Sequence, residues 1–240
     1  MRPDLELLSA KLAGLPVPGQ LDVLTSVYPE RVALSSSLGP EDQVLTHMAA
    51  TAGLPVRVFT LDTGRLFPET YELIDRTRQR YGTVLRVYYP DREDVEEFVT
   101  TKGANSFYES VANRMECCHI RKVRPLRRAL QGMAVWVTGL RAEQSENRGR
   151  MQLLEWNEDY RLIKFNPLID WSSSRLWTFL NENKVPVNPL HSRGYPSIGC
   201  QPCTRGVLPG QPERSGRWWW ETEQKECGLH TQPKHEHIAT

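Results

Sequence analysis

The stretch RVALSSSLGPEDQVL, residues 31–45, contains a complete change of structure. RVALS is short, apolar and ended by a run of serines, so it reads as a strand. EDQVLTHMAATAG (41–53) reads as a helix with a glycine stop. Between them lie small residues. They let backbone N–H groups approach an anion, and the helix N-terminus adds a favourable dipole. An ordinary strand-to-helix turn with a serine cap has the same composition, and both readings are open on this stretch alone. A Walker A loop is excluded, because Gly-Lys-Ser/Thr is missing.

The same alternation continues outward. VRVFTL (56–61), VLRVYYP (84–90) and MAVWVTGL (133–140) are further strands. PETYELIDRTRQRYG (68–82), DREDVEEFVTTKG (91–103) and the serine-capped SSSRLWTFLNENK (172–184) are helices. MQLLEW and RLIKFNPL, separated by NEDY, form a hairpin or two sheet-edge strands. The first 30 residues suggest short amphipathic helices, with Leu5, Leu8 and Leu12 at helical spacing. Beyond residue 186 the periodicity is lost. The expected class is α/β: a mostly parallel sheet with helices on both faces. In such sheets ligands sit at the carboxyl ends of the strands. SSSLGPED (35–42), LDTG (61–64) and TGLRAEQS (138–145) should therefore face one crevice. Alone, LDTG reads as a tight turn.

The chain has 240 residues, 39% of them hydrophobic, enough for one large domain or a domain with a small appendage. Its 30 basic and 29 acidic side chains give a net charge of +1, which argues against a general nucleic-acid binder. Basic residues nonetheless crowd locally at Arg114, Arg121, Lys122, Arg124, Arg127 and Arg128. The start lacks the apolar core and cleavage site of a signal peptide, and no stretch approaches the ~18 apolar residues of a membrane span. A cytoplasmic location with reduced thiols is expected.

Five cysteines are present: Cys117-Cys118, Cys200-Gln201-Pro202-Cys203, and Cys227 alone in KECGLH (225–230). A Cys-x-x-Cys with a distant Cys-Cys offers four soft ligands from two segments, suited to an iron–sulfur cluster or a structural zinc. Neighbouring cysteines on a helix point ~100° apart, which is awkward for zinc. The alternative makes Cys117 and Cys118 small buried apolar residues, and the flanking Glu116, His119, Arg121 and Lys122 weigh against it. PERSGRWWWE (212–221) sets Arg214 and Arg217 beside three tryptophans, either an anion clamp or a loop tucking aromatics onto the domain. His235 and His237 read as a solvated tail.

Taken together, SSSLGPEDQVL, LDTGRLFPETYELID, YESVANRMECCHIRKVRPLRRAL, TGLRAEQS, NPLHSRGYPSIGCQPCTR and KECGLH resemble the assimilatory sulfonucleotide reductases over residues 30 to 230. Both cysteine pairs place the resemblance with the cluster-containing, adenylyl-sulfate-reducing branch. It implies an adenine-nucleotide α-hydrolase-like fold and one [4Fe-4S] cluster on Cys117, Cys118, Cys200 and Cys203. Ser35, Ser36, Ser37 and Gly39 become a modified phosphate loop, with Asp62, Thr63 and Gly64 beside the substrate. Lys122, Arg141, Arg214 and Arg217 match the family's basic residues, and Cys227 its nucleophile. The implied reaction is thioredoxin-dependent reduction of adenylyl sulfate to sulfite and AMP through an S-sulfocysteine, with thioredoxin or glutaredoxin as partner. A homo-oligomer is compatible with it; nucleic acid and membrane are not expected partners.

The expected division is a nucleotide-binding domain over 1–210 and a tail over 211–240 that carries the catalytic cysteine. Rival readings are a reductase of 3′-phosphoadenylyl sulfate or of both nucleotides, an ATP-pyrophosphatase of the same fold, and a zinc-stabilised nucleotide-binding module. The second should carry an SGGxDS-type loop, which SSSLGPED is not.

Overall fold

In a computed structural model the described residues are 3–82, 85–144 and 148–221. Eight α-helices and six strands are formed among them. Strands β1 (Val32–Ser35), β2 (Arg57–Leu61), β3 (Arg86–Tyr88), β4 (Val135–Val137), β5 (Leu154–Asn157) and β6 (Leu162–Phe165) make one sheet in the order β3-β2-β1-β4-β6-β5. All neighbours pair parallel except β5 and β6, which form an antiparallel hairpin. The hairpin expected from MQLLEW and RLIKFNPL is present, but β6 lies inside the sheet between β4 and β5, and only β5 is an edge.

The period of two along each strand sorts its side chains onto two faces. Val32, Leu34, Val135, Val137, Ile163 and Phe165 enter the larger core, which helices α1 (Leu5–Leu12), α2 (Val17–Val27), α3 (Pro40–Thr51), α4 (Pro68–Tyr81) and α8 (Ser173–Glu182) cover. Ala33, Phe59, Trp136 and Leu162 face the other way and pack on Leu126, Ala129 and Leu130 of α7 (Arg124–Leu130). Helices therefore lie on both faces, as the alternation implies. Ser172 caps α8 by accepting a hydrogen bond from the Arg175 amide, and Gly82 ends α4 in a left-handed conformation that glycine adopts without strain. Among the described residues no helix is long and apolar enough to cross a membrane.

Strand order reverses between β1 and β4, the place where a doubly wound sheet opens a crevice. Fully buried Asn166, just past β6, holds the turn after β4 at that point. It accepts from Thr138 Oγ1 (2.5 Å), and its Nδ2 donates to the Gln152 carbonyl (2.8 Å). Replacing it by leucine leaves the buried Thr138 hydroxyl and the Gln152 carbonyl without this partner. Asn166→Leu should lower the unfolding free energy by about 2–3 kcal/mol, read as a lower urea midpoint at unchanged slope.

Candidate active site

The loop after β1 is tied to both neighbouring strands and to the helix that follows it. Trp136 Nε1 donates to Ser35 Oγ (2.7 Å), and the Ser36 amide donates to the Phe59 carbonyl (2.7 Å). Leu38 then takes a positive φ of 62°, a conformation costly for a leucine and confined to places the surroundings impose. Asp42, in the first turn of α3, accepts from both the Ser37 amide (2.6 Å) and Ser37 Oγ (2.7 Å). Burial pushes the Asp42 carboxyl up to about 6, against the hydrogen bonds from Ser37; neighbouring Glu41 adds to the rise.

The other two turns meet this loop. In LDTG the Gly64 amide and the Tyr71 hydroxyl both donate to Asp62 Oδ1, at 2.7 and 3.0 Å. Arg121 Nη1 donates to the Thr63 carbonyl (2.7 Å). After β4, Gly139 sits so close to α3 that an added Cβ would lie 2.8 Å from Glu41 Cβ, so only glycine fits. Arg141 is 2% exposed. Its Nε donates to Glu41 Oε1 at 2.7 Å, and its guanidinium also pairs with Glu143 (3.2 Å) and Glu213 (3.7 Å).

These turns enclose a cavity of about 210 Å³. Ser35, Ser36, Ser37, Gly39, Thr63, Lys122, Arg214 and Arg217 line it, together with Glu41, Asp42, Gln144, Arg148, His191, Cys200 and Glu213. Asp62 and Gly64 shape the turn behind it and do not line it; Arg141 stands behind Glu41. Cys227 and His230 lie outside the described residues, as do His235 and His237.

A second cavity adjoins the first and shares Lys122 and Cys200 with it. All four paired cysteines line it, with Arg65, Phe107, Arg121 and Trp218. Cys117 and Cys118 end helix α6 (Val111–Cys118), and a π-helical turn, His119–Val123, follows before α7. Such a widening changes the angle between successive side chains and recurs at functional sites. The Cys200–Cys203 turn is held by hydrogen bonds from the Cys203 amide to the Cys200 carbonyl (3.0 Å) and from the Gln201 amide to the Arg65 carbonyl (2.8 Å). Thr63 Oγ1 lies 3.2 Å from Cys200 Sγ, so the LDTG turn touches both cavities.

Burial pushes the Cys203 thiol up to about 12; Cys200 adds to this, while Lys122 and Arg217 oppose it. Burial raises Cys117 as well, against Arg121. A thiolate set here needs a cation to offset desolvation, and four thiols around one cavity form a donor set of that kind. The Trp218 indole N–H is buried without an acceptor among the described residues and lines the same cavity. Sulfur ligands or inorganic sulfide would satisfy it.

The segment 212–221 forms the roof. Trp218 is fully buried at a φ of 42°, with the Arg114 and Arg217 guanidinium groups each 4.8 Å from its ring. Arg217 lies flat on Gly199, where an added Cβ would come 2.5 Å from its Cζ. Arg114 donates twice to Glu221, at 2.8 and 2.7 Å, in a pair buried on both sides. The sequence reading gave no role to Glu41 and Asp42 within SSSLGPED and missed Arg148, His191 and Glu213 as cavity residues. Tertiary placement brings them to the cavity, and single-residue identity carries no signal of it.

The family described as Phosphoadenosine phosphosulfate reductase domain matches residues 31–206. An adenosine 5'-phosphosulfate reductase of Agrobacterium fabrum is 49% identical over 228 residues, spanning 95% of this chain and 87% of that protein. One from Burkholderia cepacia is 50% identical over 215 residues, 88% and 86% of the two chains. Among solved structures, a phosphoadenylyl-sulfate reductase from Candida auris superposes with a TM-score of 0.72 at 29% identity, over 85% of this chain and 96% of the other. Yeast FAD synthetase, with a TM-score of 0.55 at 16% identity over 84% of this chain and 65% of the other, shares the fold.

The raised Asp42 carboxyl has a stability consequence. The folded chain keeps this proton up to about pH 6, whereas the unfolded chain releases it near 3.8. The folded state thus binds more protons between these values, and this contribution is complete below pH 3.8 and lost by about pH 6. Asp42→Asn removes the dependence. Relative to the parent, the variant should gain up to about 3 kcal/mol between pH 4 and pH 7, seen by chemical unfolding at both pH values.

Proposed function

The chain belongs to the sulfonucleotide reductase family, on its adenosine 5′-phosphosulfate branch, and we propose that it reduces adenylyl sulfate to sulfite and AMP through Cys227. The observation that carries this reading is the shared wall of the two cavities: Lys122 and Cys200 face both the nucleotide-sized pocket and the four-thiol chamber. A substrate with an anionic phosphosulfate and a neutral nucleoside suits a pocket that has cations beside the thiols.

The Cys227 thiolate attacks the sulfur of adenylyl sulfate, forming an S–S bond as the bond from sulfur to the bridging phosphate oxygen breaks. The electron pair leaves with AMP, and the cysteine becomes an S-sulfonate. Lys122, Arg214 and Arg217 neutralise the phosphosulfate and the charge that builds on the leaving group. A thiolate of thioredoxin, or of a similar dithiol protein, then attacks the Cys227 sulfur and expels sulfite. Its second thiol closes a disulfide and frees Cys227, so the dithiol supplies both electrons.

Cys117, Cys118, Cys200 and Cys203 would hold a [4Fe-4S] cluster. When bound it supplies polarisation beside the phosphosulfate, since the dithiol already provides the electrons. Two features support a sulfur-ligated cofactor: four thiols line one chamber, and the buried Trp218 N–H on its wall has no acceptor among the described residues. The tandem Cys117-Cys118 suits a cluster, which spreads its four ligands over four irons, better than zinc, which gathers them at one.

Cys227→Ser should keep the absorbance near 400 nm and bind nucleotide, yet lose sulfite release by several orders of magnitude, as removal of a covalent nucleophile does. The parent mixed with adenylyl sulfate but no reductant should carry ~80 Da more on the Cys227 peptide, since attack precedes reduction. Anaerobic protein should contain about four iron and four sulfide per chain. A serine variant that turns over, or an adduct on another cysteine, refutes the role of Cys227. Stoichiometric zinc without sulfide refutes the cluster. Higher kcat/KM with 3′-phosphoadenylyl sulfate than with adenylyl sulfate would reassign the substrate.

A further inference from the structure

His191 lines the nucleotide pocket and has one nitrogen unaccounted for. It sits in a single 3-10 turn, Pro189–Arg193. Asn188 caps the turn with its Oδ1 accepting from the Leu190 amide (3.0 Å), while its Nδ2 donates to Thr70 Oγ1 (3.2 Å) on α4. Gly194 follows at a φ of 84°, and the Tyr195 amide donates back to the Leu190 carbonyl (3.1 Å). The backbone on both sides of the ring is thereby fixed.

His191 Nδ1 lies 2.8 Å from the Tyr195 carbonyl oxygen. A carbonyl only accepts, so Nδ1 carries the proton and Nε2 presents a bare lone pair. Trp177 meets the ring edge-on, with centroids 5.7 Å apart, and a ring flip would break the bond to Tyr195. Nε2 itself is buried and has no partner among the described residues. Burial lowers the ring's pKa, against the Tyr195 hydrogen bond and Glu41, so the second nitrogen stays unprotonated at neutral pH.

We propose that His191 is a substrate-recognition residue whose Nε2 accepts a hydrogen bond from the nucleoside portion of the bound nucleotide. The inference rests on the reading of this pocket as an adenylyl-sulfate site. At neutral pH the phosphosulfate of that substrate has no hydrogen to donate. Its donors are the adenine amino group and the two ribose hydroxyls. Lys122 and Cys200 line both cavities, whereas His191 lines only the larger one and does not reach the thiol chamber, so it belongs to the end away from the phosphosulfate. The same fixed lone pair repels any further phosphate placed against it, so His191 selects for a free donor at that point of the nucleoside.

Two substitutions separate the acceptor from the scaffold. Asparagine places a polar atom where Nδ1 stands and keeps the bond to Tyr195, but offers nothing to the pocket. Glutamine reaches the position of Nε2 with an accepting oxygen. AMP binding to the full chain is measured by calorimetry for the parent, His191→Asn and His191→Gln. His191→Asn should bind AMP about tenfold more weakly, the worth of one buried hydrogen bond, and His191→Gln should recover most of the loss. Analogues lacking one donor each, 2′-deoxy-AMP, 3′-deoxy-AMP and purine riboside 5′-monophosphate, identify the partner. One of them should lose about tenfold with the parent and nothing further with His191→Asn, the signature of a coupled pair. Equal AMP affinity in the parent and His191→Asn overturns the inference, as do analogue penalties that are the same in both proteins. A parent that binds no AMP overturns the nucleotide reading itself, which is a different result.

Discussion

The buried ion pair between Arg141 and Glu41 ties together the parts on which this site depends. Arg141 follows β4 and Glu41 opens α3 after β1, so the pair spans the point where strand order reverses. Through Glu213 the same guanidinium also reaches the roof segment. Removing one partner of such a pair costs about 3–5 kcal/mol, because a charge is left in the interior. The loss would fall on three segments at once. Arg141 thus determines where the loops stand, and the cations lining the cavity are Lys122, Arg148, Arg214 and Arg217.

A second pair performs the same service for the thiol chamber. Arg114 lies on α6, one turn before Cys117 and Cys118, and Glu221 closes the roof segment. Between them Trp218 is packed under two guanidinium groups in a strained backbone conformation. Strain of this kind persists only when the surroundings over-determine it. The roof is therefore fixed as far as Glu221. Cys227 stands six residues further along the chain, outside the described residues.

Most of the sheet was legible because its strands are short apolar runs bounded by turn residues, and its helices carry caps such as Ser172 and Gly82. The β5–β6 hairpin was legible, but its place was not: β6 lies inside the sheet, where the Lys164 ammonium is buried 5.9 Å from the Trp136 ring and 3.7 Å from Glu155. The helices of 111–130 escaped the pattern because Arg114 and Arg121 occupy buried positions and the π turn shifts the period between α6 and α7. In the site, the three crevice turns could be read from strand order alone. Asp42 could not: acidic residues at a helix start are ordinary dipole partners, and only the Ser37 contacts show that this one is buried and closes the loop.

Net charge near zero conceals a sharp local division. Arg121 and Lys122 are presented by the π turn beside the thiols, Arg217 acts on Cys203 from the roof, and Arg214 lines the larger cavity near Glu213. Glu41, Asp42 and Glu213 collect at the other loops, where burial raises Asp42 and Glu213 and so weakens their negative charge. Arg141 pairs with Glu41 and Glu213 at those loops and Arg148 lines the cavity beside them, so the carboxylates there are compensated within the protein. Lys122 and the four thiols thus share one end of the two adjoining cavities, and the paired carboxylates brace the loops of the larger one.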